Sequence, residues 1–383
     1  MTKARKKIFL TVISTAVSVA VLGLGLELYL RRKQSSSSSP YSVALYTHSG
    51  QKISSAEGSL KLSLAPFTVY KNLPSQRTST FTINSHGLRG EDNLELDAGP
   101  RIIFLGGSAA FGMGAENDQE TIPYMLGQSI KPYRVLNGGV VGFQSGQELT
   151  YLVTELIDYR PAIVMTYDGW NDLFDSIYAR RNENELGFNS NFFRMEEELT
   201  QNYKTQVSPY QSLGRLVEAT STRSLLLTRV MEKIRGYNYQ GPTSQKNMLN
   251  AAAQNYATNI RKMSLISHAV GAQFIVVFQP ELGLKLHPTP AEQEILAQGI
   301  VGIDSYHDEF PELYRQFLAK AKQLLDRDKI EWVDINESTE YQQSSDGLFV
   351  DVVHTNRRGN QVVAEIISPR LRVLADHKPA EGQ

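Results

Sequence analysis

The chain contains no cysteine among its 383 residues. This absence excludes a thiol nucleophile, thiolate metal ligands, disulfides and a lipidated N-terminal cysteine. An excess of positive charge is also lacking, since the formal net charge is −1. Residues 1–33 hold seven of the 39 Lys and Arg residues and one of the 40 Asp and Glu residues, so the rest of the chain carries −7. Nucleic-acid binding depends on neutralising phosphates, and an acidic body therefore argues against a nucleic-acid partner.

Residues 8–26 carry no charge, and the apolar character continues through residues 28–30. This length is enough to cross a bilayer as a helix. A cleavable signal peptide would need a shorter apolar core and a small-x-small cleavage site, and the sequence offers no good one. We therefore expect residues 1–33 to form a retained single-pass membrane anchor. Four basic residues precede the apolar stretch and three follow it, which slightly favours a cytoplasmic N-terminus and an extracytoplasmic main domain.

The remaining chain divides by composition. Residues 34–40 form a Ser-rich linker, and residues 41–99 read as an N-terminal extension that packs on the main domain. The main domain spans residues 100–376, with a cap-like insertion at about 175–245 and a tail at 377–383. Hydrophobic residues make up 41% and charged residues 21% of the chain, as in a globular protein with a sizeable core.

From Arg101 onward, short apolar runs alternate with helical patterns. Predicted strands are 102–105, 134–136, 162–167, 273–278 and 330–335, and predicted helices are 145–159, 246–269, 312–325 and 358–374, the last interrupted by Pro369. Such alternation is typical of a parallel sheet covered on both faces. We expect an α/β fold, a three-layer α/β/α sandwich around a mostly parallel five-stranded sheet.

The first predicted strand of this domain runs into Gly106-Gly107-Ser108. Open α/β sheets bind ligands beyond the carboxyl ends of their strands, so Ser108 is a candidate nucleophile. Taken alone, a serine between a strand and a helix is equally an N-cap. A Gly-x-Ser-x-Gly elbow is excluded, because position 110 is Ala.

Two later turns offer hydrogen-bond donors at comparable places. Gly142 follows the second strand, where a missing side chain lets a backbone N–H approach the space above Ser108. Asn171 follows the third strand, and its side-chain amide could reach a developing oxyanion. Both residues could instead be simple turn formers. Trp170 reads more as a packing residue than as a substrate platform, and His86, in the structured turn Asn84 to Gly90, as a loop histidine.

Asp351 and His354 precede the last predicted helix with a three-residue spacing. Histidine is the side chain best suited to accept a proton near neutral pH, and a carboxylate three residues earlier on a turn can reach its Nδ1–H. The pair could also be a helix cap beside a surface histidine, or half of a metal site. No further His, Asp or Glu cluster supplies the other ligands at suitable spacing, which disfavours a metal.

Gly107-Ser108, Gly142, Gly169-Trp-Asn171-Asp172 and Asp351-Val-Val-His354, in this order, resemble the four sequence blocks of the SGNH (GDSL-type) esterase and lipase family. The resemblance covers roughly residues 101–374, outside the insertion, and implies the flavodoxin-like SGNH hydrolase fold. One position departs from the family pattern: the usual acidic residue before the serine is Gly107, as in glycine-glycine-serine variants associated with cell-envelope proteins. We expect this change to affect hydrogen bonding in the turn more than the triad.

The resemblance implies a serine esterase. Ser108 would be the nucleophile, His354 the base and Asp351 the orienting acid, and the oxyanion would be held by Ser108, Gly142 and Asn171. Such a mechanism needs no cofactor and no metal. The ester substrate would be, for example, an O-acetyl group on a cell-surface polysaccharide. Two alternatives stay open: an O-acyltransferase acting on an envelope glycan, and a non-catalytic surface-binding protein of the same fold.

Overall fold

The structure is a computed structural model that describes residues 43–46, 60–91, 99–178, 245–298 and 306–376. Its strands are β1 Val43–Tyr46, β2 Leu60–Ala65, β3 Val69–Asn72, β4 Gln76–Arg77, β5 Thr82–Ile83, β6 Arg101–Gly106, β7 Arg134–Asn137, β8 Ile163–Asp168, β9 Gln273–Phe278 and β10 Trp332–Asp334. Its α-helices are α1 Ser108–Phe111, α2 Ile122–Ser129, α3 Ser145–Thr154, α4 Trp170–Tyr178, α5 Gln245–Ala269, α6 Pro290–Gln298, α7 Tyr306–Arg327, α8 Thr339–Gln342 and α9 Arg357–Asp376.

The last five strands form one parallel sheet in the order β10-β9-β8-β6-β7. The apolar runs of the three inner strands, β9, β8 and β6, are buried on both faces, which is the environment that near-continuous Val, Ile, Leu and Phe sequences require. The predicted five-stranded parallel sheet is therefore confirmed.

Successive side chains of each strand point to opposite faces and join different cores. In β6, Ile102 and Phe104 pack with residues of α2 and α9, whereas Ile103 and Leu105 pack with residues of α3, α5 and α7. One core thus lies on each side of the sheet, and the predicted three layers are confirmed.

The chain order reverses at β6. The second central strand, β7, pairs on one side of β6, and the third, β8, pairs on the other. In open parallel sheets, such a switch point leaves a crevice outside the carboxyl ends of the strands, where ligands bind. Ser108 follows β6 directly and so stands at this switch point.

The segment before the central sheet forms two small structures of its own. Strands β1, β2 and β3 make a three-stranded sheet, and β4 and β5 make a short hairpin. Leu60, Tyr70, Phe81 and Leu88 from this segment belong to the same buried core as α3 and α5. The turn predicted at residues 84–90 is confirmed, because Asn84 Oδ1 accepts the backbone N–H groups of residues 86 and 88.

Two details of the predicted helices are wrong. The helix that begins at Ser145 ends at Thr154, and a 3-10 turn, Leu156–Tyr159, ends at the left-handed Arg160. Helix α9 continues through Pro369. Proline removes one backbone donor, but Ile367 and Leu371 are fully buried on either side of it, so tertiary packing outweighs the lost bond.

Several predictions fall on residues outside the described ranges: the membrane anchor, the Ser-rich linker, most of the insertion and the tail. Among the residues that the structure describes, no helix has the length and apolar character that a bilayer crossing demands.

Candidate active site

The turn after β6 presents Ser108 at the start of α1. Gly106 has a φ of +149°, and a β-carbon there would come within 2.3 Å of the Tyr167 carbonyl oxygen, so only glycine fits. Gly107 is the residue that caps α1, and Ser108 is its first helical residue. The hydroxyl of Ser108 does not cap the helix. The N-cap interpretation of this serine is therefore wrong, and its side chain is available for another partner.

Asp351 organises the turn that carries His354. Its Oδ1 accepts the backbone N–H groups of Val353 and His354 at 2.9 and 2.8 Å, and its Oδ2 lies 2.7 Å from His354 Nδ1. One carboxylate thus fixes both the backbone of the turn and the imidazole ring. Burial opposes the charge on Asp351, but the His354 ring and the two N–H groups outweigh it and hold the pKa of Asp351 below its usual range.

The other ring nitrogen of His354 meets Ser108. His354 Nε2 and Ser108 Oγ are 2.7 Å apart, although the two residues are 246 positions apart in the sequence. The histidine side chain is 14% exposed, so the contact lies at the edge of solvent. A charged carboxylate on Nδ1 keeps the proton there and leaves Nε2 as an acceptor for the serine hydroxyl. This arrangement can activate Ser108 as a nucleophile.

Gly142 lies in the loop after β7, and Asn171 lies in the first turn of α4, just after β8. Gly142 has a φ of +77°, in the left-handed region that favours glycine. The Asn171 side chain lies beside the Ser108 turn, since a β-carbon built on Gly107 would come within 2.4 Å of Asn171 Nδ2. Asn171 Nδ2 also donates a 2.7 Å hydrogen bond to the Phe143 carbonyl. An amide carries two N–H groups, so this bond leaves one for another acceptor near Gly107.

Asp172 ties these two turns together. Its carboxylate accepts the backbone N–H of Ser145 at 3.2 Å and also the Ser145 hydroxyl, which in turn accepts from Asn259. Burial, with the charge of Asp168, raises the pKa of Asp172 to about 7, although the bonds from Ser145 act in the opposite sense. The turn with Asn171 is thereby fastened to the helix that follows Gly142.

A buried carboxyl pair lies just before this turn. Tyr256 donates a 2.6 Å hydrogen bond to Asp168 Oδ1, and the carboxyl of Glu148 faces that of Asp168. Burial and the charge of Asp168 raise the pKa of Glu148 well above its ordinary value. Two facing buried carboxyls disfavour two negative charges, so this pair holds a proton more tightly than an exposed carboxyl does.

A buried ion pair supports the segment that precedes Asp351 and His354. Lys285 Nζ lies 2.8 Å from Glu292 Oε2, and both side chains are at most 1% exposed. Lys285 also donates to the Asp346 carbonyl, and Glu292 Oε1 accepts the Leu348 N–H. The chain leading to Asp351 is therefore held at two points by one ion pair.

Trp170 and His86, the two other residues considered in the sequence, both make packing contacts. Trp170 is 5% exposed and stacks on Phe174, with ring centroids 4.5 Å apart, so it is a packing residue. His86 packs edge-on against Tyr159 at 5.9 Å. Sequence reasoning missed Glu148 and the Lys285–Glu292 pair, for which the sequence carries no local signal. Asp168 had a weak signal, since it ends a buried strand one residue before Gly169.

Comparisons with known proteins find no matching family model and no matching curated protein. Several solved structures match. An acetylxylan esterase from Geobacillus stearothermophilus is 12% identical, with a TM-score of 0.40 over 72% of this chain and 95% of that chain. A GDSL-like lipase from Bacteroides thetaiotaomicron is 15% identical, with a TM-score of 0.37 over 71% and 88%. An alpha/beta hydrolase enzyme from the metagenome of Lake Arreo, Spain, is 11% identical, with a TM-score of 0.39 over 72% and 97%.

Proposed function

We propose that this chain is a serine esterase. Its His354 takes the proton of Ser108, whose Oγ attacks the carbonyl carbon of an ester and expels the alcohol, which leaves with a proton from His354. A water molecule, deprotonated by the same imidazole, then attacks the acyl-enzyme; the carboxylic acid is released as His354 returns the proton to Ser108 Oγ. Asp351 stays ionised throughout and stabilises the imidazolium.

The observation that carries the proposal is the continuous contact from Asp351 through His354 to Ser108. Both links measure 2.7 Å, within hydrogen-bond reach without any movement of the chain. Asn171 and the backbone N–H groups of Ser108 and Gly142 are the proposed oxyanion donors. The position of the Asn171 amide beside Gly107 supports its share of that role.

The proposal also covers where in the cell the protein acts and which ester it hydrolyses. Residues 8–26 support a membrane anchor, because they are apolar, uncharged and flanked by basic residues. An anchored, acidic domain on the extracytoplasmic side suits a small acyl group, such as acetyl, on a cell-surface polysaccharide. The anchor is tested by fractionating cells that express either the full chain or a variant lacking residues 1–33. Only the full chain is expected to sediment with the membranes.

The central experiment compares wild-type protein, Ser108→Ala and His354→Ala on a short-chain aryl ester. Each variant is expected to lose on the order of 10⁶-fold in kcat, because the residues act as a unit. His268→Ala is the matched control, since His268 is exposed near the end of α5 and should retain full activity. A fluorophosphonate probe should label wild-type protein at Ser108. Hydrolysis that survives Ser108→Ala would refute the assignment.

The substrate class is tested by an acyl-chain series and an acetylated polysaccharide. The proposal expects acetyl esters to be hydrolysed faster than longer ones, with free acetate as the product. Acetate that appears instead on an added glycan hydroxyl would identify an acyltransferase. A protein that binds the polysaccharide but neither labels nor releases acetate would be the non-catalytic binder.

A further inference from the structure

We infer that Arg89, in the segment before the α/β domain, is a positioning residue for Ser108. The inference rests on the proposed function, because the residue that Arg89 positions is the proposed nucleophile. Arg89 belongs to the structured turn at residues 84–90, which has no role in the mechanism described so far.

The guanidinium of Arg89 is buried and donates hydrogen bonds to four groups. The side chain is 1% exposed. Its Nε donates to Asp118 Oδ1 at 2.9 Å, and its Nη2 donates to the Thr80 carbonyl at 3.0 Å. Its Nη1 donates to the carbonyls of Phe111 and Gly112 at 3.1 and 3.0 Å. Those two carbonyls end the helix that begins with Ser108.

Helix α1 needs such support because it has four residues. A single turn is not stable alone, and its last carbonyls lack partners within the helix. The Gly112 N–H donates a 3.0 Å bond to the Ser108 carbonyl. A chain of two hydrogen bonds therefore runs from Arg89 through the Gly112 peptide to the backbone of Ser108. Movement of the Gly112 peptide would move Ser108 with it.

The surroundings hold the guanidinium in one orientation. The Phe111 ring centroid lies 4.8 Å from it, and a β-carbon on Gly112 would come within 3.1 Å of Nη1. The Arg89 N–H donates to the Asn137 carbonyl, while Asn137 Nδ2 also donates to the Phe111 carbonyl. A lysine could supply the charge at this place, but it lacks the planar fork that reaches groups on several sides.

Removal of these contacts should displace Ser108 Oγ from His354 Nε2. A misplacement of about 1 Å can cost about 10² in rate. We expect Arg89→Met to lower kcat by about 10²-fold and to leave KM within about twofold, because Arg89 serves the nucleophile rather than substrate binding. Arg89→Lys should fall between this variant and the wild type. The rate of fluorophosphonate labelling at Ser108 should fall in parallel with kcat.

Arg77→Met is the matched control. Arg77 lies in the same segment and forms an ion pair with Glu91, but the two side chains are 69% and 61% exposed. This variant should keep the wild-type kcat. Circular dichroism and thermal unfolding of each variant establish that the protein compared is folded.

A crystal structure of Arg89→Met gives a readout that does not depend on activity. The inference expects Ser108 Oγ and His354 Nε2 to lie beyond hydrogen-bond reach, whereas an unchanged 2.7 Å separation with unchanged kcat overturns it. If Arg89→Met does not fold, Arg89→Lys is judged by the same two measurements. A displaced Ser108 in the variant, together with a wild-type protein that hydrolyses no ester, would refute the proposed function while supporting the positioning role.

Discussion

The side-chain amide of Asn171 lies where a side chain at position 107 would begin: a β-carbon on Gly107 would come within 2.4 Å of Asn171 Nδ2 and 3.1 Å of the Phe143 carbonyl oxygen. This close approach gives a local structural reason for a glycine, and not an acidic residue, before Ser108. In this protein the turn closes on an amide from the neighbouring strand's end, and glycine makes room for it.

Gly107→Ala should consequently lower kcat by about 10 to 10²-fold, because the new methyl group must push the Asn171 amide away from the proposed oxyanion site. KM should change little. Steady-state kinetics on an aryl acetate measure both values. Gly127→Ala is the control, since Gly127 lies in α2 and a β-carbon there would meet nothing closer than 3.8 Å. Equal kcat values for Gly107→Ala and Gly127→Ala would show that activity does not depend on the present position of the Asn171 amide.

Asn171→Ala should lower kcat by about 10² to 10³-fold, the usual cost of losing one oxyanion donor. Activity should remain measurable, because the two proposed backbone donors, Ser108 and Gly142, are left. The variant also frees the Phe143 carbonyl, so a thermal unfolding scan accompanies the kinetics. A loss confined to KM, with kcat unchanged, would mean that Asn171 binds substrate rather than the transition state.

Glu148→Gln should change stability little at pH 5 and raise it relative to wild type at pH 8. The folded-state pKa of Glu148 is raised by burial and by Asp168, so the native state keeps a proton that the unfolded state has already released above about pH 4.3. Each pH unit in that window costs the wild type up to about 1.4 kcal/mol in the free energy of unfolding. Glutamine removes this dependence, because its side-chain amide does not titrate.

Urea unfolding at several pH values measures the effect of this substitution. Glu365→Gln serves as the control, because Glu365 is exposed on α9 and bonds only to Gln361 among the described residues. Unfolding curves of Glu148→Gln that run parallel to wild type from pH 5 to pH 8 would show that Glu148 is ionised in the folded protein.

Glu292→Gln should lower the free energy of unfolding by about 3 to 5 kcal/mol, because it leaves the Lys285 ammonium buried without its counter-charge. Activity should fall as well, since this pair holds the chain that leads to Asp351. Urea unfolding and aryl ester kinetics test the two effects separately. Glu312→Gln breaks an exposed pair with Arg315 and should alter neither measurement.

The sequence predicts the central sheet well and the small N-terminal sheet not at all. Strands β6, β8 and β9 are mainly apolar runs buried on both faces, so their own composition identifies them. Strands β2 and β3 mix polar and apolar residues, and Leu60, Leu62 and Tyr70 are buried by contacts with the main core that their local pattern does not reveal. Helix α2 was not predicted, because its eight residues are too few to show a clear helical repeat of apolar positions.

The same distinction separates the site residues. Ser108, Asn171 and His354 stand at strand ends or in a short motif, so their positions are readable before the fold is known. Arg89 and Glu292 carry no such mark. Their importance comes from being buried and from bonding to backbone groups tens of residues away, as in the bond between Arg89 and Phe111, which only the folded chain brings about.

The proposed nucleophile follows the first central strand, and its base and acid precede the last helix. During translation, Ser108 is synthesised long before His354, so the growing chain lacks the proposed hydrolytic activity for most of its synthesis. A premature stop or a proteolytic cut between residues 334 and 351 would remove base and acid in one event while sparing all five central strands. Any such fragment would keep its serine and still be inert.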